Sequence, residues 1–259
     1  MKYLNSLLVA ILVAIALIPL FLAHPAFSED PTAKEMVEHV ETLLRGKNNY
    51  AVYTMKVRTP EWKRELKIEA WDDRSSQRAF IKILAPSKDR DTRYLKIEYK
   101  LWVYIPKLEK VLKIPPSMMM QSWMGSDFNN DDLVKESSIV QDYEHKIAGE
   151  KTLQNTIAYQ IELTPKPHAP VVWGKILYWI SKDELLPLRE QFFDERGRLI
   201  KELLFSEFRV MDGRKIPTLY TMTSKTKPGH KTLLIIEEIK FNQDFDERLF
   251  SMRNLKRTR

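Results

Sequence analysis

The chain has 259 residues, of which 44% are hydrophobic, no cysteine, and a formal net charge of +7 at pH 7. Without cysteine it forms no disulfide, and it lacks the residue that carries the lipid of a lipoprotein. Acidic and basic residues alternate along most of the sequence, and no nucleic-acid-binding motif is present, which argues against a nucleic-acid partner. The basic balance favours anionic lipid surfaces, but it is equally typical of ordinary soluble proteins.

The N-terminal segment has the layout of a secretory signal peptide. Lys2 precedes an apolar run from residue 7 to residue 23, and the small-residue segment Ala26-Phe27-Ser28 follows. This layout predicts cleavage after Ser28 and a periplasmic mature chain of residues 29–259. An uncleaved membrane anchor is the alternative, although Pro19 and the small residues after it favour cleavage. Because Lys2 is the only charged residue in this segment, its removal lowers the net charge from +7 to +6.

A helix is predicted at the start of the mature chain. Thr32 and Glu35 have the spacing of a capping box, apolar residues then recur at helical spacing, and Gly46 ends the pattern. Two further short helices are predicted, one over Asn130–Ser137, capped by Asn129 or Asn130, and one over Asp246–Met252.

Most of the remaining chain alternates between apolar and polar residues, as strands do. The predicted strands cover residues 51–57, 66–70, 78–84, 93–99, 101–105, 111–114, 143–149, 156–164, 175–181, 187–194, 199–211, 217–225 and 231–242. Short turns separate many of them, which predicts an antiparallel meander rolled into a sandwich, barrel or half-barrel. No linker or internal repeat divides the chain, so a single domain is expected.

A methionine-rich segment lies between the two halves of this strand pattern. Met118, Met119, Met120 and Met124 surround Trp123, and an acidic, polar run follows. Methionine is unbranched and polarizable, so such a cluster adapts to apolar ligands of varied shape. We expect these five residues to form a lid that contacts lipid, with a fixed core plug as the alternative.

Two strands are rich in aromatic residues. Trp102 and Tyr104 alternate with aliphatic residues, and Trp173, Tyr178 and Trp179 mark a second such strand. Apolar residues on both faces of a strand indicate either burial on both sides or a cavity on one. Met55, Trp102 and Tyr104 are therefore candidates for the wall of an apolar cavity.

Neither an enzyme site nor a metal site is indicated by the sequence. The histidines lack a second ligand at metal spacing, and Asp127, Asp131 and Asp132 lack the residue order of a calcium loop. Ser126 is the one tempting nucleophile, but it is not in a Gly-x-Ser-x-Gly turn. We expect no catalytic residue, no metal and no cofactor; lipid hydrolysis through Ser126 is the alternative.

Several motifs resemble the exported outer-membrane lipoprotein-sorting proteins, the LolA-like family. They are Leu101-Trp-Val-Tyr-Ile-Pro106, Gln121-Ser-Trp-Met-Gly-Ser-Asp-Phe128, Tyr159-Gln-Ile-Glu-Leu-Thr-Pro165, Gly213-Arg-Lys-Ile-Pro217 and Leu249-Phe-Ser-Met-Arg-Asn-Leu255. The resemblance covers essentially the whole mature chain. One departure is Asp91, which stands before Thr92 where a glycine would be expected, so that turn is expected to differ in shape.

The resemblance implies a mainly β, single-domain fold, a strongly curved antiparallel sheet of about 11 strands that forms an incomplete β-barrel. A few helices would close its open side over an apolar cavity. It further implies a monomeric periplasmic carrier of lipid or lipoprotein acyl chains, with an inner-membrane transporter and an outer-membrane acceptor as partners. A docking subunit of an envelope lipid transporter is the alternative, because aromatic strands also suit a binding interface.

Overall fold

A computed structural model describes residues 31–135, 139–153, 155–169 and 171–257. The expected signal peptide, residues 1–28, lies outside this part of the chain. The described residues from Thr32 onward form one compact unit. None of the described helices is both long and apolar enough to cross a membrane.

The unit is built on a single antiparallel sheet whose strands follow the predicted ranges closely. They are β1 (Asn48–Arg58), β2 (Lys63–Asp73), β3 (Arg78–Ala85), β4 (Arg93–Ile97), β5 (Lys100–Ile105), β6 (Lys110–Lys113), β7 (Tyr143–Leu153), β8 (Thr156–Pro165), β9 (Lys175–Ser181), β10 (Pro187–Phe193), β11 (Leu199–Met211), β12 (Arg214–Ser224) and β13 (Lys231–Phe241). The sheet has thirteen strands, the number that the alternation of residues predicts and more than the roughly 11 that the family resemblance implies.

The strand order explains how this sheet is curved without being closed. From edge to edge it runs β6-β5-β4-β3-β2-β1-β13-β12-β11-β10-β9-β8-β7. The chain therefore starts in the middle of the sheet at β1, proceeds to one edge at β6, restarts at the opposite edge at β7, and returns to the middle at β13. The sheet is curved and open, which confirms the predicted mainly β, single-domain half-barrel.

One connection must pass from one edge of the sheet to the other. It comprises residues 114–142, which lie between β6 and β7, and it contains the methionine-rich segment and α2 (Asn130–Lys135). We call it the crossing connection. Its described residues contact β5 at one side, and they bond to β13 and β11 further along. The topology and these contacts place the described residues of this connection across the sheet from β5 to β13 and β11.

Helix α1 (Ala33–Arg45) covers the same side of the sheet as the crossing connection. The predicted capping box is present, because the Thr32 side chain accepts a hydrogen bond from the Glu35 amide and the Glu35 carboxylate accepts one from the Thr32 amide. Gly46 ends the helix as predicted, with φ +63°. Met36, Val37 and Val40 are fully buried against β7–β12, where they share a core with Ile161 and Tyr178. Burial of this apolar face fixes α1 to that half of the sheet.

The other side of the sheet is covered at β3–β5 by the C-terminal segment. The single helix predicted over Asp246–Met252 is instead a 3₁₀ turn at Glu247–Phe250 followed by α3 (Met252–Lys256). The prediction was wrong here because Ser251 is extended and caps α3 with its hydroxyl, which accepts a hydrogen bond from the Asn254 amide. Phe250 and Leu255 are buried in a cluster with Phe80, Leu95 and Tyr104.

The turn before β4 shows why a glycine would suit position 91. Asp91 has φ +66°, a left-handed conformation that favours glycine but is also adopted by aspartate. Its amide donates to the Ile83 carbonyl at 2.9 Å, and its carboxylate lies 3.3 Å from the Lys82 ammonium. Aspartate therefore occupies this left-handed position with both backbone and side-chain partners.

Candidate functional site

A cavity of about 270 Å³ lies between the sheet, α1 and the crossing connection. Its walls come from both halves of the sheet, with Met55 and Ile68 on one side and Tyr178, Phe205 and Met222 on the other. The two halves have separate apolar cores, and Phe128 of the crossing connection packs against both. A mostly apolar cavity close to the size of small-molecule pockets is the first candidate for a binding site.

The structure separates the methionines of the crossing connection into two groups. Met118 and Met120 are exposed, by 36% and 48%, whereas Met119 and Met124 are partly buried against the core formed by Met55, Leu66 and Trp123. Of the five predicted lid residues, only Trp123 reaches the cavity lining. The other four lie outside that lining.

Trp123 is buried, and its immediate neighbours hold it in place. Its ring meets that of Tyr94 edge-on at 5.7 Å, and the Tyr94 hydroxyl donates to the Met124 sulfur at 2.9 Å. Burial of Tyr94 raises its pKa to about 12, so this hydroxyl stays protonated and able to donate. The Arg64 guanidinium donates to the Met124 carbonyl at 2.8 Å. These contacts attach the centre of the crossing connection to β2 and β4.

The Gly-Ser-Asp-Phe step forms the turn that follows Trp123. The Ser126 hydroxyl, which is buried, donates to the Trp123 carbonyl at 2.7 Å and accepts from the Phe128 amide at 3.2 Å. Asp127 accepts a hydrogen bond from the Thr232 hydroxyl of β13 at 2.7 Å. Ser126 is therefore engaged in the turn itself, which favours a structural role over that of a nucleophile.

Helix α2 begins directly after this turn and faces the cavity. Asn129 caps it, because its side chain accepts from the Asp132 amide and its own amide donates to the Asp132 carboxylate. Predicted residues 136 and 137 of this helix lie outside the described part. The Lys201 ammonium of β11 bonds to Asp132 at 2.6 Å and lies over the rings of Trp173 and Phe192 at 4.8 and 5.1 Å. This buried ion pair joins α2 to the far half of the sheet.

The candidate wall residues divide between the two faces of the sheet. Met55 is fully buried and lines the cavity. Trp102 and Tyr104 point the other way, into the cluster that contains Phe250 and Leu255. The aromatic strand β5 is thus apolar on both faces because both faces are covered, and only its other face adjoins the core around Trp123.

Charged residues in the cavity lining were missed by the sequence analysis. Glu41 and Arg45 of α1, Asp72 of β2 and Glu190 of β10 all line the cavity. The sequence does mark these positions, because charged residues stand there on otherwise apolar faces. Glu190 shares a strand face with Phe192, and the spacing of Glu41 and Arg45 places them on the apolar face of α1. A charged residue on an otherwise apolar face is a candidate site residue.

Among the described residues, no group of three or more His, Asp or Glu side chains is arranged to hold a metal ion. The histidine nearest the turn is His230, whose ring nitrogen lies 3.9 Å from the Asp127 carboxylate. This contact links the crossing connection to the β12–β13 turn.

Comparisons with known proteins identify the family and the fold. A family model described as an uncharacterized-protein-like family matches residues 75–257, more than half of the chain. No curated protein matches the sequence. The structure resembles a DUF1329 family protein from Desulfovibrio piger, with a TM-score of 0.79 and 22% identity over 86% of this chain and 97% of that one.

Two further solved structures share the fold. A LolA superfamily protein from Nitrosomonas europaea matches with a TM-score of 0.74 and 19% identity over 86% of this chain and 99% of that one. A domain described as an outer membrane lipoprotein-sorting protein, from Vibrio parahaemolyticus, matches with a TM-score of 0.76 and 19% identity, over 87% of this chain and 98% of that one. The predicted LolA-like fold is confirmed.

Proposed function

Because the chain belongs to the DUF1329-like family of uncharacterized proteins and has the LolA-like fold, we propose that it is a carrier of lipid or lipoprotein acyl chains. It would bind them in the cavity beneath the crossing connection and deliver them within the periplasm. The observation that carries this proposal is the apolar cavity between two separate cores. The sorting function named for the Vibrio structure is consistent with it.

Binding follows from the chemistry of the cavity lining. Each methylene of an acyl chain gains about 0.8 kcal/mol when it leaves water for an apolar surface. Tyr178, Phe205 and Met222 offer such a surface from one half of the sheet, and Met55 and Ile68 offer it from the other. An acyl chain placed between them would replace the missing contact between the two cores.

Release requires that the cavity open without unfolding the sheet. The crossing connection suits this role, because it is joined to the strands by side-chain contacts and isolated bonds and belongs to none of the ladders. Met118, Met119, Met120, Trp123 and Met124 would move with it and present an adaptable apolar surface to the leaving chain. An inner-membrane donor and an outer-membrane acceptor would be its partners.

Native and denaturing mass spectra of the protein purified from the periplasm test this proposal. We expect mature protein beginning at residue 29, with an added mass that disappears on denaturation and is identified as a lipid or acylated species after extraction. A spectrum of the protein alone, together with no uptake when lipid is titrated, would contradict the carrier function. It would favour the docking subunit instead.

A further inference from the structure

One end of the cavity is polar and acidic. Five carboxylates and one guanidinium contribute to the lining, so its formal charge is negative. Three of the carboxylates, Glu41, Asp72 and Glu190, lie close to Arg45 or to Tyr178 beside α1. We call these five residues the α1-side polar patch. An otherwise apolar cavity has no need of such a patch in order to hold an acyl chain alone.

The single cation of the patch is already engaged. The Arg45 Nε and Nη2 atoms each donate to the Asp72 carboxylate at 2.8 Å, in the bidentate geometry that guanidinium and carboxylate groups favour. The remaining Nη1 lies 3.5 Å from the Glu41 carboxylate. An anionic group that entered the cavity would therefore meet a guanidinium already neutralised by carboxylates, and it would be repelled by Glu190.

The Tyr178 hydroxyl lies against the Glu190 carboxylate as a hydrogen-bond donor, and its oxygen can still accept a hydrogen bond. The side chain is fully buried and lines the cavity. Glu190 is its direct cross-strand neighbour. Burial raises the pKa of Tyr178 well above its usual value, and the carboxylates of Glu190 and Glu41 raise it further. A neutral hydroxyl beside carboxylates can accept a hydrogen bond from a group that the carboxylates also attract.

We propose that the α1-side polar patch receives the polar end of the bound lipid and selects a hydrogen-bond donor, an ammonium or hydroxyl group, over an anionic headgroup. The inference rests on the proposed carrier function and specifies its ligand. The Glu190 carboxylate and the Tyr178 hydroxyl oxygen would both accept from the donor, while the apolar lining takes the chain. Ionised phosphate and carboxylate headgroups offer no hydrogen-bond donor to these acceptors, and their negative charge is repelled by the carboxylates of the patch.

The test compares three probes that share one alkyl chain, namely tetradecylamine, tetradecanol and tetradecanoate. Each is titrated at pH 7 into protein freed of co-purified lipid, and its dissociation constant is measured by calorimetry. A charge-assisted hydrogen bond is roughly twice as strong as a neutral one, so we expect the amine to bind roughly tenfold more tightly than the carboxylate, with the alcohol between them.

Three variants test whether the α1-side polar patch causes the preference for the amine over the carboxylate. Glu190→Gln, which keeps the shape and removes the charge, should reduce the amine-to-carboxylate ratio by about fivefold or more. Tyr178→Phe should weaken amine and alcohol binding and leave the carboxylate unchanged, which provides a second route if Glu190→Gln folds poorly. Glu237→Gln, on the exposed surface of β13, is the matched control and should leave the ratio unchanged.

The outcomes separate this inference from the carrier function. Equal binding of the three probes, or tightest binding of the carboxylate, would overturn the donor preference and leave the carrier function standing. A preference that persists unchanged in both Glu190→Gln and Tyr178→Phe would overturn its assignment to the patch. Failure of all three probes to bind would overturn the carrier function, and the inference with it.

Discussion

Single residues of the crossing connection differ widely in what they contribute, although the sequence groups them together. Trp123 is 5% exposed and touches both Tyr94 and the cavity, whereas Met118 and Met120 are 36% and 48% exposed. Exposed methionines add little to the stability of the fold. They are available instead to make apolar contacts with a ligand or a membrane.

Substitution of these residues should reveal the difference. Trp123→Ala should lower the free energy of unfolding by about 3–5 kcal/mol, because it leaves a void beside an existing cavity. Met118→Ala and Met120→Ala should each change it by less than about 0.5 kcal/mol. Urea denaturation of the three variants measures these values. Equal losses would show that the whole segment is a fixed core plug.

A second residue-scale prediction concerns pH. Burial lowers the pKa of His145, against the opposing effect of its hydrogen bond to the Ile139 carbonyl at 3.0 Å. Its stabilising contribution is present above the unfolded pKa of 6.5 and is lost as pH falls through the lower folded value. The melting temperature should therefore fall between pH 7 and pH 5, before most carboxylates titrate.

His145→Gln should remove that part of the pH dependence, whatever its effect on stability at pH 7. His39→Gln, on the exposed face of α1, is the control and should retain it. A pH dependence that is the same in the two variants would exclude His145 as its source.

At the scale of elements, two of the contacts that hold the crossing connection differ in chemistry. The Asp127–Thr232 hydrogen bond attaches its turn to β13, and the Asp132–Lys201 ion pair attaches α2 to β11. Breaking a buried polar contact leaves its partner unsatisfied, at a cost of about 1–3 kcal/mol. A cost of this size is compatible with the opening that the proposed carrier function requires.

Removing the Asp127–Thr232 hydrogen bond should loosen the crossing connection locally. Thr232→Val keeps the shape of a fully buried side chain and removes the hydroxyl that Asp127 accepts from. Amide hydrogen exchange over residues 121–133 should accelerate by about tenfold, while exchange in β9–β12 stays unchanged. Thr223→Val in β12 is the control. Unchanged exchange in residues 121–133 would show that this contact does not hold the cavity closed.

The elements themselves could be predicted from sequence to different degrees. Alternation of apolar and polar residues located every strand, and the Thr32 capping box located α1, because both signals are local. The helix over Asp246–Met252 was wrong at Ser251, where a side-chain hydroxyl starts a new helix. Local periodicity does not reveal such a break.

The cavity was harder to predict than the strands, because alternation shows that a face is buried without showing what covers it. Trp102 and Tyr104 have the pattern expected of a cavity wall, yet the C-terminal segment covers their face of β5. Conversely, Glu190 and Arg45 line the cavity without belonging to any recognised motif. Which face becomes the cavity depends on where residues 114–142 and 246–257 lie, and that is decided by tertiary structure.

At the scale of the whole molecule, an open sheet leaves two edges that must be prevented from pairing with other chains. The edge strand β6 is only four residues long and carries Lys110 and Lys113, features that discourage further pairing. The opposite edge, β7, is interrupted by a register shift at Gly149. The chain thus keeps the sheet open, as a cavity requires, without leaving two regular free edges.

The proposed function is tested most directly by whether filling the cavity weakens lipid binding. Ala70 lines the cavity from β2, and Ala70→Phe would occupy the space needed by two or more methylenes. At about 0.8 kcal/mol per methylene, tetradecanol should bind at least about tenfold more weakly to this variant than to the unaltered protein. Ala148→Phe on the exposed surface of β7 should bind it normally. Equal binding to a folded Ala70→Phe variant would show that the alkyl chain does not enter this cavity, and would contradict the proposed function.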